Sequence, residues 1–231
     1  SNALVESNRI YGNSSIGVDG TGFTLLGNVI YGSATGVRMA PSGSSTARNN
    51  LIYGNSLRGV LITQAGSQLV NNTVYQPSGD AVVVSGATGV GLFNNILVTG
   101  DGTALSVSAD SFSGFASDSN LFHVLGSGSV GLWQGVARSS LAAWRSATGA
   151  DGNSLQADPQ FVDADGADGV LGESATADGR DDDFHLRSAY GTFAGGSLVP
   201  VEDAVTHLPV AVSVPGTVTF EDHSAAIVRG R

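Results

Sequence analysis

Apolar and polar residues alternate in short bursts along residues 4–125, and the bursts recur in phase. Asn8-Arg9-Ile10-Tyr11-Gly12-Asn13 returns as Asn28-Val29-Ile30-Tyr31-Gly32-Ser33, then as Asn50-Leu51-Ile52-Tyr53-Gly54-Asn55 and Asn72-Thr73-Val74-Tyr75. Weaker copies begin at Asn95 and Asn120, so the spacings are 20, 22, 22, 23 and 25 residues. Two residues after each asparagine stands an apolar residue: Ile10, Ile30, Ile52, Val74, Leu97 and Phe122. A second alternating run follows nine or ten residues on, as in Gly59-Val60-Leu61-Ile62 and Ala81-Val82-Val83-Val84. Each repeat thus predicts two or three short strands of period two joined by Gly, Ser and Asn turns, with no room for a helix.

Two solenoids have periods in this range, the leucine-rich repeat and the parallel β-helix. Phe23, Leu25, Asn28 and Ile30 fall at leucine-rich offsets, but the columns hold Val, Ile, Ala and Tyr, and the second half of each repeat reads as a strand. The pattern therefore predicts an all-β parallel β-helix of about six coils over residues 4–130. Like residues then stack about 4.8 Å apart. Asn8, Asn28, Asn50, Asn72, Asn95 and Asn120 become a ladder in which each amide bonds the next rung and satisfies corner backbone.

Over about residues 4–125 the chain resembles the right-handed parallel β-helix family with pectate-lyase-like coils, which implies a right-handed solenoid. Further on, Ser140-Leu141-Ala142-Ala143-Trp144, Asp158-Pro159-Gln160-Phe161-Val162-Asp163 and Asp183-Phe184-His185-Leu186 are similar to the closing region of large modular bacterial surface and secreted proteins. His223-Ser224-Ala225-Ala226-Ile227-Val228-Arg229-Gly230 resembles a drifted copy of that family's usual ending. The resemblance implies an extracellular or cell-surface module of a longer bacterial protein with neighbouring domains. Ser1-Asn2-Ala3 reads as a tag-removal scar.

Residues 131–231 predict a capping helix, an acidic loop and a tail packed on the coils. Ser139-Ser140 before Leu141, Ala142, Ala143, Trp144 and Ala147, with Gly149 after, reads as a capped helix whose Leu141/Trp144 stripe covers an open coil end or a flank. Leu61 and Val83 point outward by parity, yet are apolar, and predict a cover. Short strand-like runs at Phe184–Leu186, Val210–Val214 and Thr217–Phe220 are broken by Pro200, Pro209 and Pro215.

Composition narrows the function. Ten arginines, no lysine and twenty carboxylates give a net charge of −10, which argues against nucleic acid. No apolar run reaches the roughly 18 residues of a membrane span. The chain has no cysteine, which excludes disulfides and thiolate metal sites.

Twelve of the twenty carboxylates fall within residues 151–203. Aspartates alternating around a glycine turn suit a hard cation with oxygen ligands near 2.4 Å. Asp163, Asp165 and Asp168, completed by Asp181 or Asp183 of the Asp181-Asp182-Asp183 run, are the expected calcium ligands; the alternative is a solvated acidic loop. Calcium is the one cofactor the sequence suggests. Tyr11, Tyr31, Tyr53 and Tyr75 fall one residue past the inward column and face out. As a row they can stack on sugar rings, with Asn13, Ser33 and Asn55 beside them, or lie under a loop or the tail.

Lyases of the resembled fold use an Arg or Lys base beside calcium-binding acids, and its hydrolases use clustered aspartates. Here Arg9, Arg38, Arg48 and Arg58 occupy different phases, Asp19 and Arg38 read as a surface ion pair, and Asp183 and His185 sit in the appendage. His123, His185, His207 and His223 lack metal-ligand spacing. No catalytic residue is assigned. The sequence points to a non-catalytic module that is a carbohydrate-binding or adhesive surface or a rigid spacer, with a fragment of a polysaccharide lyase or glycoside hydrolase acting on acidic polysaccharide as the alternative.

Overall fold

The computed structural model describes residues 3–174 and 178–187, and beyond them only four two-residue strands. Six coils of three strands each follow in chain order. The first is β1 (Ala3–Glu6), β2 (Arg9–Tyr11) and β3 (Ile16–Gly20), and the second is β4 (Phe23–Leu26), β5 (Val29–Tyr31) and β6 (Thr35–Met39). The third holds β7 (Thr46–Arg48), β8 (Leu51–Tyr53) and β9 (Arg58–Ile62); the fourth holds β10 (Gln68–Val70), β11 (Thr73–Gln76) and β12 (Asp80–Val84). The fifth comprises β13 (Gly91–Phe93), β14 (Ile96–Thr99) and β15 (Thr103–Val107), and the sixth β16 (Ala116–Asp118), β17 (Leu121–Val124) and β18 (Ser129–Trp133). Corresponding strands pair in parallel into three long sheets. The predicted solenoid is the observed fold.

Register explains the sequence columns. Ile10, Ile30, Ile52, Val74, Leu97 and Phe122 are direct partners along one sheet. Leu25, Ala47, Leu69 and Leu92 are partners along another. From the second coil onward these side chains are fully buried and make one continuous apolar core. Each ladder asparagine follows a residue forced into the left-handed region at the corner: Ser7, Gly27, Asn49, Asn71, Asn94 and Ser119 have φ from 55° to 62°. Gly, Asn and Ser at these positions suit that conformation.

The asparagine ladder is as expected. Asn28 donates its backbone N–H and its Nδ2 to Asn50 Oδ1 at 2.9 and 3.0 Å. Asn50 does the same to Asn72 Oδ1 at 3.0 and 2.9 Å, and its Nδ2 also reaches the Arg48 and Leu25 carbonyls. A shorter ladder runs at the next corner, where Ser33 N–H donates to Asn55 Oδ1 and Asn55 N–H to Gln76 Oε1. Ser33 and Asn55 are buried there, whereas Asn13 is exposed.

The last coil is closed by a hairpin and a helix. β19 (Val136–Arg138) turns back antiparallel to β18, and α1 (Leu141–Thr148) follows, with Ser140 Oγ accepting from Ala143 N–H and Gly149 ending the helix in the left-handed region. Trp144 is fully buried against Gly131, where a Cβ would stand 2.0 Å from its Cε3, so only glycine fits beneath the indole. β20 (Leu155–Gln156) then adds to the sheet of β17, and Gln156 Oε1 accepts the N–H of Leu141.

Two compact units result. One is Ser1–Pro159 with Asp165–Asp182; the other is Gln160–Ala164 with Asp183–Arg231. The helix and most of the acidic stretch thus belong to the same unit as the coils. In the second unit, β21 (Phe161–Asp163) pairs antiparallel with β22 (Asp183–Leu186), and Phe161 meets Phe184 edge to face. Phe193–Ala194 pairs with Ser197–Leu198, and Val201–Glu202 with Pro209–Val210. Apart from Val210, the runs expected at Val210–Val214 and Thr217–Phe220, with His207, His223 and the His223–Gly230 ending, lie outside the described residues.

Candidate functional site

The tyrosine row stands where the columns put it, on the outer face of the β2–β5–β8–β11 sheet. Tyr11, Tyr31, Tyr53 and Tyr75 are successive register partners. The rings of Tyr11 and Tyr31 stack with centroids 5.1 Å apart and planes 4° apart; those of Tyr31 and Tyr53 stack at 4.8 Å and 20°. Offset stacking at one rung spacing adds about 0.5–1.5 kcal/mol per aromatic pair beyond the area buried.

The row does not face solvent throughout. Tyr31 and Tyr53 are 0% exposed, because the chain's own Asp165–Asp182 segment lies across them. Tyr31 Oη donates to the Asp178 carbonyl, and Tyr53 Oη donates to the Gly179 carbonyl at 3.2 Å. Arg9 Nη1 joins the same cluster, donating to the Gly179 carbonyl at 3.0 Å and to Tyr31 Oη at 3.3 Å. Its guanidinium carbon lies 5.6 Å from the Tyr31 ring centroid, a cation–π distance. Tyr11 keeps 38% of its surface exposed.

Two glycines let the segment come this close. A Cβ on Gly172 (φ +73°) would stand 3.2 Å from Tyr31 Cδ2 and 3.6 Å from Tyr53 Cε2. A Cβ on Gly179 (φ +64°) would stand 2.9 Å from both Gly172 Cα and Tyr53 Oη. A bridge between Glu173 and Asp178 holds the two arms of this strap together. Leu171 covers Gly54, and the Glu173 carboxylate lies on Gly12 and Gly32.

The electrostatics follow from this cover. Burial pushes the Tyr53 phenol well above its ordinary value, and the adjacent Asp182 carboxylate adds to the effect. Burial likewise raises Tyr31, and it raises Tyr75 with help from the charges of Asp165 and Asp158. Asp182 is itself raised, by burial first and then by Asp181 and Asp168. Keeping these groups neutral is the cheaper state where water is scarce.

The aspartates expected to bind calcium are divided. Asp165, Asp168 and Asp181 lie in the strap, while Asp163 and Asp183 face each other across β21 and β22. Several serve as acceptors for nearby backbone N–H groups: Asp168 N–H donates to Asp181 Oδ2 at 3.1 Å, Val170 N–H to Asp168 Oδ1 at 2.8 Å, and Gly172 N–H to Asp182 Oδ2 at 2.8 Å. Among the described residues no three His, Asp or Glu side chains are grouped to hold a metal. Of these bonds the one from Val170 to Asp168 closes an Asx-type turn, while the other two tie residues 168 to 181 and 172 to 182 across the strap.

The remaining candidates occupy separate places. Arg38 pairs with Asp19 across adjacent rungs, its Nε donating at 2.8 Å, with both side chains well exposed. Asp183 and His185 share a 2.6 Å hydrogen bond on an exposed surface, and the His185 backbone N–H and ring hold the Asp183 carboxyl below its usual range. His123 stands on the tyrosine column two rungs beyond Tyr75. Leu61 and Val83 are half-buried.

One group went unforeseen in the sequence. Asp151 is 1% exposed and accepts hydrogen bonds from Trp144 Nε1 at 2.7 Å, Ser117 Oγ at 3.0 Å and Asn120 Nδ2 at 3.1 Å. With Ser154, whose hydroxyl accepts from Asn120 N–H at 2.8 Å, it terminates the asparagine ladder. The spacing from Asn120 to Ser154 is 34 residues, outside the repeat period, because the hairpin and α1 intervene.

Among the described residues no helix is long and apolar enough to cross a membrane. A family model described as a right handed beta helix region matches residues 1–130, more than half of the chain. Comparison with curated proteins and with solved structures found no match.

Proposed function

The chain belongs to the right-handed β-helix family, and from that premise we propose that it is a non-catalytic module of an extracellular bacterial protein, serving as a rigid spacer whose outer face is locked by its own strap. The observation that carries this reading is the covering of Tyr31 and Tyr53, whose hydroxyls donate to the Asp178 and Gly179 carbonyls. The side chains best suited to recognise sugar are thereby engaged inside the molecule. The asparagine rows close corners, and Asp181 and Asp182 tie the arms of the strap to each other. The strap is held by these bonds, and a bound calcium is the added tie that the sequence suggests and the following titration tests.

Calcium titration of the chelated protein, followed by thermal unfolding, tests the reading. A cation held at 100 times its dissociation constant adds about 2.7 kcal/mol. No cleavage of polygalacturonate is expected, and chain cleavage would overturn the reading; a raised midpoint would add calcium to the ties that hold the strap, and an unchanged one would remove it.

A second reading rests on Tyr11, which is 38% exposed and stacked on Tyr31. With exposed Asn13 two residues on, it offers an aromatic platform and an amide to one sugar ring at the end of the row, in keeping with an adhesive surface. Saturable quenching of tyrosine fluorescence by oligosaccharide, lost in Tyr11→Ala, supports this reading over a pure spacer.

A further inference from the structure

Three donors from the coils converge on one dipeptide step of the strap. Tyr31 Oη donates to the Asp178 carbonyl, while Tyr53 Oη and Arg9 Nη1 donate to the Gly179 carbonyl at 3.2 and 3.0 Å. Gly179 has no slack there, since at φ +64° a Cβ on it would stand 2.9 Å from both Gly172 Cα and Tyr53 Oη. The Asp178 carboxylate lies outside this contact. Its side chain is 53% exposed, with Oδ2 2.9 Å from Arg180 Nε and Oδ1 accepting from Arg180 N–H at 3.2 Å. The residue that anchors the strap through its carbonyl thus keeps its carboxyl in water. The residue after it is a glycine, whose lack of a side chain leaves the amide nitrogen open to that carboxyl.

The sequence holds six Asp–Gly steps, at Asp19, Asp101, Asp151, Asp165, Asp168 and Asp178. Four of them are fastened. Asp19 lies in β3 and pairs with Arg38. Asp101 Oδ1 accepts from Gly79 N–H at 2.8 Å, and Gly102 is packed on the Gly79 carbonyl. Asp151 is buried among its donors, and Gly166 is pressed against Asp181. Asp168–Gly169 is exposed, with open space around Gly169, and serves as a reference within the strap. Asp178–Gly179 joins an exposed carboxyl to the two carbonyls that receive the coil donors.

We propose that Asp178 is a modification site at which isomerisation of the aspartate releases the strap in one direction and uncovers Tyr31 and Tyr53. In the first step the Gly179 nitrogen attacks Asp178 Cγ. A C–N bond forms, and the carboxyl hydroxyl leaves as water with the amide hydrogen. Water then opens the five-membered imide at the former main-chain carbonyl. The mass returns to its starting value and no oxidant or reductant is needed. The chain now runs through Cβ and Cγ, with one more main-chain atom. The old Asp178 carbonyl becomes a free carboxylate, and the Gly179 carbonyl is carried away from Tyr53 and Arg9. Ring closure has to turn the Asp178–Gly179 peptide, so the closed strap resists the reaction and an opened one permits it. The inference rests on the strap reading above.

The test ages the parent protein, the double variant Tyr31→Phe/Tyr53→Phe and Asp178→Glu for weeks at neutral pH. Isoaspartate is located by peptide mapping after isoaspartate-specific methylation, and the strap is followed by amide exchange of residues 165–182. Isoaspartate at residue 178 is expected to form ~10-fold or more faster in the double variant, which lacks two hydrogen bonds that hold the closed state, with a smaller change at Asp168. Parent molecules that carry it should exchange the strap at free-chain rates while the β5, β8 and β11 amides stay protected. Asp178→Glu keeps the carboxylate and both carbonyls but would need a six-membered imide, and should stay closed through the same ageing. Isoaspartate at residue 168 but not at 178 in the double variant would overturn the proposal, as would isoaspartate at 178 with the strap still protected. Free-chain exchange of the strap in fresh parent protein would instead overturn the strap reading, and this inference with it.

Discussion

Tyr53 reaches across 126 residues of sequence to donate its hydroxyl hydrogen to the Gly179 carbonyl at 3.2 Å. That contact ties the acidic strap to the middle of the coil stack, and it turns a row of aromatic side chains into an anchor. The tyrosines face outward from the sheet and inward with respect to the whole unit.

Removing one hydroxyl tests the anchor. Tyr53→Phe keeps the ring stack but leaves the Gly179 carbonyl without that donor, and is expected to cost about 1 kcal/mol. Chemical denaturation should show a lowered midpoint at constant slope. Limited proteolysis should cut the 165–182 segment faster than in the parent. An unchanged midpoint and cleavage rate would mean that the strap is held by other contacts.

Alkaline pH should loosen the unit before the coils themselves give way. Tyr31, Tyr53 and Tyr75 have folded values raised above the ordinary tyrosine value of about 10. Their contribution is complete below that value. As pH climbs above it, the unfolded chain releases protons that the folded chain keeps, so stability falls. Asp182, also raised, adds stability that is present in acid and lost as pH rises through its folded value. Phenolate absorbance should therefore rise in step with release of the strap rather than ahead of it.

Position in the ladder should set the cost of losing an asparagine. Asn50→Ala strands the Asn28 N–H, takes one of three acceptors from Asn28 Nδ2, and removes a donor from the Arg48 and Leu25 carbonyls. A loss of about 3 kcal/mol is expected from the stranded buried N–H and the bonds lost with it. Asn8→Ala, at the exposed end, should cost about 1 kcal/mol or less. Equal losses at the two positions would contradict the ladder account.

The coils, the ladder and the helix were legible in the sequence because each rests on short-range periodicity. Ile10, Ile30 and Ile52 repeat, and so do the asparagines; Ser140 and Gly149 bracket α1. For the tyrosines the sequence offered a sugar platform or cover by a loop or the tail, and it did not say which residues would form the cover. Parity alone sends Tyr31 outward, and nothing local to it says that Gly172 and Gly179 will settle on the ring. The acidic stretch was read through its charge, and its long-range ties, Asp181 to the Asp168 N–H and Asp182 to the Gly172 N–H, had no mark in the local pattern. Asp151 was missed because the hairpin and helix break the period that would have marked Ser154 as the next rung.

Asp151 should prove the most sensitive carboxylate in the unit. Asp151→Asn keeps the shape but offers one acceptor oxygen where two now take the Trp144, Ser117 and Asn120 donors. A loss of about 2 kcal/mol is expected, with red-shifted tryptophan emission as the indole loosens. Unaltered emission would mean that packing on Gly131 alone holds the ring.

The most direct measurement of the central claim is native-state amide exchange across residues 165–182. Gly172 N–H bonds Asp182, and Gly172 and Gly179 are buried against the tyrosines. Peptides spanning them are expected to exchange far more slowly than free chain, and Gly179→Ala, which forces a Cβ against Gly172 and Tyr53, should release them while leaving the β5, β8 and β11 amides protected. Exchange of the strap at free-chain rates in the parent protein would contradict the account, because it would leave Tyr31 and Tyr53 open to solvent and to sugar.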